Sequence, residues 1–373
     1  MPLIRVGFLG LSTSGWAPSA HFPYLKHSDK YQIVAICNSS IESSKAAIKK
    51  YELPESTRAY DDPEDLAKDK DIDLVVCSVR VDRHFATISP SLKAGKDVFV
   101  EWPLGKNLSE AKELLRLKNE GGVKTAVVGL QARQSPVIRK LKQLVDERRV
   151  GKVLSSSWTG QGGNLGPTVH EGYEYLSQRE VGGNLVSIHF GHSIDYIQAV
   201  LGYGFTPAPK TLLASRRSHQ KLLSSSDELI KENHSITSDD TIFLHGTLST
   251  GIPLSFSLRG GKPFKDVPGL DWRIYGETGE IRVTSSGPFL NVGYPDVKIA
   301  ISDFDLGGGE SKDVVVVAAE KDEFDGDEWG VPSRNVARVY RALSEGSVNC
   351  SFEDAVERHE FIDGMYRENG IVV

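Results

Sequence analysis

Several features are scarce in this chain, and each scarcity excludes a class of protein. Of 373 residues only Cys37, Cys77 and Cys350 are cysteine, an odd number set far apart, which argues against a disulfide frame or a cysteine metal site. The first two lie in apolar, strand-like runs and read as reduced core residues, which favours the cytosol (cytoplasmic) or the nucleus. No lysine- or arginine-dense face is visible, and the formal charge is -6, so direct nucleic-acid binding is not expected. No apolar run approaches the roughly 20 residues that span a bilayer, and the N-terminus lacks a basic segment followed by an apolar signal core. Nothing places the chain in or across a membrane. No internal repeat is visible.

What is present is ordinary globular material: 39% hydrophobic and 25% charged residues, at a length that suits two domains rather than one core. Over residues 1–150 short apolar runs alternate with helical patterns. The runs "IRVGFLG", "YQIVAIC", "DLVVCSV", "DVFVEW" and "TAVVGL" are β-branched and bounded by turn residues, as in strands buried on both faces of a parallel sheet. Between them, "NLSEAKELLRLKNEGG" reads as a helix capped by Asn107, with Ala111, Leu114 and Leu115 on one face. "SPVIRKLKQLVDERRVG" reads as another, with Ser135 as cap, Pro136 in the first turn and Val137, Ile138, Leu141, Leu144 and Val145 as its buried stripe. Such alternation predicts an α/β fold, a doubly wound parallel sheet.

From residue 151 to 373 the period changes. In "IPLSFSLRG", Leu254, Phe256 and Leu258 face one way and Ser255, Ser257 and Arg259 the other, the pattern of a half-buried strand. "TIFLHGTL", with His245, alternates similarly, and "DWRIYGETGEIRV" predicts a hairpin. The second domain is therefore expected to be α+β, with an open, mainly antiparallel sheet and helices against one face. Residues 218–237 and 303–313 read as polar loops, and the last two helical stretches are expected to pack back on the body of the protein.

The stretch "RVGFLGLSTSGWAPSAHFP" follows a strand and should open a helix. As a phosphate-binding G-x-G-x-x-G it supplies Gly10 and Gly15 but Ser12 in the middle, so by itself it is also compatible with a plain strand-to-helix turn. Together with "RHFATISPSLKAGKDVFVEWPLGKNLSEAKEL", "GLQARQSPVIRKLKQLVDERRVGKV" and "VGGNLVSIHFGHSIDYIQAVLG", however, it resembles the glucose–fructose oxidoreductase and inositol dehydrogenase (Gfo/Idh/MocA) family over essentially the whole chain. Within that family "GWA", "VFVEW", "LQARQSP" and "FGHSIDYIQ" look most like the fungal galactose-pathway repressor-like branch.

The resemblance implies an N-terminal Rossmann domain holding NADP or NAD in a cleft, and a second domain whose open sheet often forms a homodimer. Gly10, Leu11, Ser12, Thr13, Gly15 and Trp16 would surround the pyrophosphate. Asn38, Ser39 and Ser40 stand where an NAD-preferring protein keeps an acid on the adenosine ribose; the missing carboxylate permits a 2′-phosphate, which slightly favours NADP. Ser78, Val79, Arg80, His84, Glu101, Trp102, Pro103 and Gln131 would line the nicotinamide half. His84 reads equally well as a helix-end histidine satisfied by backbone.

Two absences then bear on chemistry. Members of the family that are enzymes place a lysine between that glutamate and proline, where its amine handles the substrate's hydroxyl proton; here the position is Trp102, whose indole N–H cannot titrate. Where those enzymes have an aspartate four residues before a histidine, this chain has Ile188 before His192. His192, with a reference pKa of about 6.5, remains the candidate acid/base, with Tyr173 and Trp102 at the reacting centre and Tyr175, His170 and His189 as neighbours. The plainer reading of His192 is a packed residue bonded to backbone. Asp195 suits orientation rather than chemistry, while Glu171 and Arg133 carry polar tips that suit either a hydroxylated ligand or solvent.

Three functions stay open: an atypical NAD(P)-dependent oxidoreductase on a sugar-like or other small hydroxyl or carbonyl substrate; a non-catalytic, dinucleotide-sensing regulator that binds a transcription-activator peptide; and a non-redox enzyme that retains its dinucleotide.

Overall fold

The computed structural model describes residues 3–13, 15–162, 164–307, 309, 313–326 and 328–372. They form two compact units, the first from residues up to 131 together with 322–361, the second from 132–321 together with 362 onward.

In the first unit the apolar runs pair as predicted. Strands β1 (Ile4–Leu9), β2 (Tyr31–Cys37), β3 (Arg58–Tyr60), β4 (Leu74–Cys77), β5 (Asp97–Val100) and β6 (Ala126–Val128) form one parallel sheet in the order β3-β2-β1-β4-β5-β6. β4 is buried throughout, as a strand covered on both faces must be. β3 was not predicted: three half-buried residues at the sheet edge carry no apolar run. Helices α1 (Trp16–Ala20), α2 (Phe22–His27), α3 (Ile41–Lys50), α4 (Pro63–Lys68), α5 (His84–Lys93) and α6 (Leu108–Glu120) connect the strands. In α6 the Asn107 side chain accepts the Glu110 N–H at 3.0 Å, the expected cap, but the buried stripe is Ala111, Leu114 and Leu117 rather than Leu115. Cys37 and Cys77 both lie level with Leu9, one on each side of β1. Two strand spacings, roughly 9–10 Å, are too far for a disulfide.

Helix α7 (Pro136–Asp146) belongs to the second unit and buries Ile138, Leu141 and Leu144; Ser135 precedes it in extended geometry without a side-chain cap bond. After it come β7 (Val153–Gln161), β8 (Thr168–His170) and α8 (Gly191–Leu201). Strands β9 (Lys210–Ala214), β10 (His219–Leu223), β11 (Leu229–Ser235), β12 (Thr241–Thr247), β13 (Pro253–Arg259), β14 (Leu270–Gly276), β15 (Gly279–Ser285), β16 (Lys298–Asp303) and β17 (Val315–Val317) complete the unit. The main sheet runs β17-β16-β15-β14-β7-β13-β12-β9 and is antiparallel except where β13 meets β7. Leu254, Phe256 and Leu258 are buried, and Phe256 meets Phe190 edge-on at 5.1 Å, while Ser255, Ser257 and Arg259 point away from that core.

Residues 218–237 are not a loop. They form the β10–β11 hairpin, which joins β8 in a small sheet. Its polarity follows from exposure: β11 has no buried residue, so no alternation marks it. Within the polar stretch 303–313, residues 308 and 310–312 lie outside the described residues.

Helix α9 (Val331–Ser344) packs in the first unit, with Val336, Val339 and Tyr340 in its core; α10 (Phe352–Glu368) contributes its first ten residues to that unit and the remainder to the second. No described helix is long and apolar enough to cross a membrane.

Candidate functional site

Parallel register puts Cys37, Leu9, Cys77, Val100 and Val128 level across the first sheet. The residues that follow them, Asn38, Gly10, Ser78, Glu101 and Gly129, therefore stand in one row at its carboxyl edge. Backbone bonds extend the ladder there: Gly10 N–H to Cys37 O, Ser78 N–H to Leu9 O and Glu101 N–H to Cys77 O, each at 3.0 Å, and Gly129 N–H to Val100 O at 2.9 Å. The strand order reverses at β1, between β2 and β4, which is where open α/β sheets bind ligands.

The glycine loop is built for close approach. Gly10 has φ +93°, and a Cβ there would stand 2.6 Å from Val79 Cγ1 and 2.7 Å from Ser78 O. Gly15, at φ +97°, has nothing within 4 Å, so its requirement is conformational only. Leu11 is buried, the Tyr51 hydroxyl donates to Ser12 O at 2.6 Å, and Lys50 Nζ donates to Thr13 O at 2.6 Å. Ser14 lies outside the described residues. Trp16 opens α1 and is partly buried.

At the end of β2 the Asn38 amide donates to Leu11 O at 3.0 Å and Ser43 O at 3.4 Å, which turns its oxygen the other way. Ser39 is exposed, whereas Ser40 caps α3 by accepting the Ser43 N–H at 3.1 Å. After β4, Ser78 and Val79 are half-buried. Arg80, expected to line the nicotinamide half, holds both oxygens of Asp82 with Nε and Nη2 at 2.7 and 2.8 Å. Asn38 Oδ1, Trp16 Nε1 and Gln131 Oε1 are buried and have no partner among the described residues. Buried polar atoms are normally satisfied, so a ligand or water has donors and acceptors to meet in these segments. The orphaned atoms and the Gly10 approach fit a dinucleotide.

The Glu101-Trp102-Pro103 turn is held by three histidines. Buried His21, in the turn between α1 and α2, reaches Glu101 Oε1 with Nε2 at 2.8 Å and the Tyr340 hydroxyl with Nδ1 at 2.8 Å. Gly129 backs the same carboxylate, since a Cβ there would sit 2.9 and 3.0 Å from its oxygens. His84 places Nδ1 2.9 Å from Pro103 O and Nε2 3.0 Å from Val79 O; a neutral ring donates to one of these carbonyls, as the backbone-satisfied reading of a helix-end histidine expects. Burial pushes its pKa below the ordinary histidine value, against the opposing effect of those two carbonyls. Trp102 is only 4% exposed and packs against His359 of α10, with the Trp102–Pro103 bond cis. Burial, with His84 adding to it, pushes His359 down to about 3, so its imidazole is neutral.

The remaining predicted residues belong to the second unit. His192 is buried in α8, and a π-helical segment, Leu185–Phe190, leads into it from an Asn184 cap. Half-buried His189 lies in that segment with its ring 4.4 Å from Phe289; burial first, then the nearby His192, pushes it down to about 4. Tyr173 is 55% exposed. His170 contacts Asp227 at 2.7 Å and Glu171 accepts the Ser225 N–H at 3.0 Å, so both clasp the β10–β11 turn. Arg133 and Asp195 form a two-pronged pair at 2.9 and 2.8 Å, which assigns Arg133 to anchoring α8 rather than to a pocket. Sequence reasoning missed His21, Gly129, Tyr340 and His359; the only signal was a histidine inside the apolar "AHFP".

A family model described as an oxidoreductase family with an NAD-binding Rossmann fold matches residues 4–130, and one described as the C-terminal domain of Gal80p matches residues 136–285. The dehydrogenase aclE of Aspergillus oryzae is 30% identical over 365 residues, covering 95% of this chain and 95% of its own length. The chain belongs to the Gfo/Idh/MocA oxidoreductase family. Its second unit carries the Gal80p-like variant of that architecture. The galactose/lactose metabolism regulatory protein GAL80 of Saccharomyces cerevisiae is 28% identical over 98% of this chain and 92% of its own length. Its Kluyveromyces lactis counterpart is 33% identical over 78% of this chain, a match that spans 65% of that protein. A super-repressor mutant of the S. cerevisiae Gal80p superposes with a TM-score of 0.87 at 26% identity, covering 99% of this chain and 96% of the other.

Proposed function

We propose that this protein binds a nicotinamide dinucleotide as a sensed ligand and acts as a regulator of the Gal80p type, without the lysine-based dehydrogenation of its enzymatic relatives. The observation that carries this is Trp102, nearly buried against His359 at the position of the proton-carrying amine. An indole there stacks and fills space but moves no proton. Its protein partner is a peptide segment of a transcription activator, which places it in the nucleus as well as the cytoplasm. The open face of the main sheet, with Ser255 and Ser257, is the surface for a homodimer.

At the adenosine end, NAD(H) fits better than the NADP that the missing acid first favoured. Asn38 has its donor committed to Leu11 O and Ser43 O, so only an acceptor remains. A ribose hydroxyl can donate to that oxygen, whereas a 2′-phosphate cannot. The test is calorimetric titration with NAD, NADH and NADP, followed by absorbance assays with polyols and aldoses. Binding without turnover is the expected result; steady dinucleotide reduction with any of these substrates would overturn it.

A second reading is favoured by the half-buried His189, the buried His192 and the dehydrogenase relative: an oxidoreductase whose acid/base is His192. Once a substrate is found, turnover of His192→Ala equal to the native rate would remove that residue from the mechanism.

A further inference from the structure

We propose that His21 is a positioning residue that couples the phosphate loop to the Glu101-Trp102-Pro103 turn, so that a dinucleotide held at one is registered at the other. This rests on the dinucleotide reading of the site.

His21 follows α1, the short helix that leaves the glycine loop, and it is wholly buried. Three aromatic rings fix its plane: Phe99 at 5.1 Å, Phe8 at 5.6 Å and Tyr340 at 5.8 Å, all edge-on. Phe8 is on β1 and Phe99 on β5, so the ring is caged by the strands that carry Gly10 and Glu101. Tyr340 is itself clamped, stacked on Tyr24 at 5.3 Å with an interplanar angle of 8°, while its backbone carbonyl accepts the Tyr31 hydroxyl at 2.9 Å.

The hydrogen bonds have one direction. A carboxylate only accepts, so with Glu101 ionised His21 Nε2 carries the proton; a neutral ring then accepts the Tyr340 O–H at Nδ1. Gly129 backs the carboxylate closely, since a Cβ there would stand 2.9 and 3.0 Å from its oxygens. Glu101 immediately precedes Trp102, and His84 holds the other end of the turn at Pro103 O. A displacement of α1 that moves His21 is therefore passed, through a caged ring and its 2.8 Å bond, to the Glu101 carboxylate. Packed cores of this kind transmit small shifts rather than absorb them.

The experiment uses the full chain titrated with NAD and with NADH, reading both the dissociation constant and the part of the tryptophan fluorescence change that Trp102→Phe removes. His21→Gln sets an amide near the Nε2 position and can still donate to Glu101; His21→Asn sets one near Nδ1 and cannot. Expected are a Trp102 signal and affinity within about threefold of native for His21→Gln, and loss of the signal with about tenfold weaker binding for His21→Asn. Tyr340→Phe, which removes one oxygen and keeps every ring contact, is expected to reduce the signal while the chain stays folded, and it decides the matter if His21→Asn does not fold. Native signal and affinity in His21→Asn, or in Tyr340→Phe when that variant decides, would overturn the inference and leave the dinucleotide reading standing. Failure of the native chain to bind either dinucleotide would overturn both.

Discussion

The indole of Trp102 packs on the imidazole of His359 with ring centroids 4.8 Å apart and planes tilted by 44°. Both residues are 4% exposed, so the substitution that removes the family's amine also joins the Glu101-Trp102-Pro103 turn to α10 inside the first unit. Loss of that amine and gain of packing are the same event in the sequence.

Stability should report that packing. Trp102→Ala is expected to cost about 3–5 kcal/mol, the usual range for emptying a large aromatic site, and Trp102→Phe clearly less because a ring remains against His359. Urea unfolding monitored by circular dichroism checks this. A Trp102→Ala midpoint indistinguishable from native would mean that the contact is incidental.

The neutral imidazole of His359 makes a pH prediction. Its folded pKa, about 3, lies below the unfolded value of about 6.5, so between these values the unfolded chain binds more protons and folding stability rises with pH. The contribution is complete above pH 6.5 and drains as pH falls towards 3; between pH 6.5 and 5 it amounts to about 2 kcal/mol. His359→Phe should flatten the stability profile across that interval. An unchanged slope would show that burial does not hold the ring neutral.

The two glycines of the loop should separate by mechanism. Gly10→Ala meets both left-handed strain and a Cβ 2.6 Å from Val79, and is expected to abolish dinucleotide binding and destabilise the chain by more than about 2 kcal/mol. Gly15→Ala meets strain alone, about 1–3 kcal/mol for an extended positive-φ backbone that is nearly restricted to glycine, with open space around it. Parallel titrations and melts decide; equal losses at both positions would refute the close-approach account of Gly10.

The parallel sheet was legible because strands buried on both faces must be continuous apolar runs, and the Asn107 cap because it is a local bond. The β10–β11 hairpin was not, since a strand with both faces in water has no alternation to read. The candidate site divides in the same way. Gly10, Asn38 and Glu101 follow predicted strands and could be placed by spacing, and the Trp102 substitution is visible against the resemblance. The arrangement that holds the turn was hidden: His21 and Tyr340 are 319 positions apart and meet only once α9 returns to the first sheet. For His84 the sequence offered backbone satisfaction as one of two readings, but nothing local to "SVRVDRHF" indicates that the carbonyls beside its ring are those of Pro103 and Val79.

Asn38 offers the sharpest test of the adenosine end. Its amide gives its hydrogens to Leu11 O and Ser43 O, and its buried oxygen faces none of the described donors. Asn38→Asp would keep an acceptor for a ribose hydroxyl while adding a negative charge that repels a 2′-phosphate. It would also lose the bond to Leu11 O and set a carboxylate against that carbonyl, which costs affinity for any dinucleotide. The expected outcome is thus a modest weakening of NAD, within about tenfold, and a fall in NADP binding at least tenfold larger than that. Calorimetry on both proteins with both ligands measures the ratio. If Asn38→Asp weakened NAD and NADP equally, the oxygen of Asn38 would not face the ribose, and the preference for NAD would have to come from elsewhere in the loop.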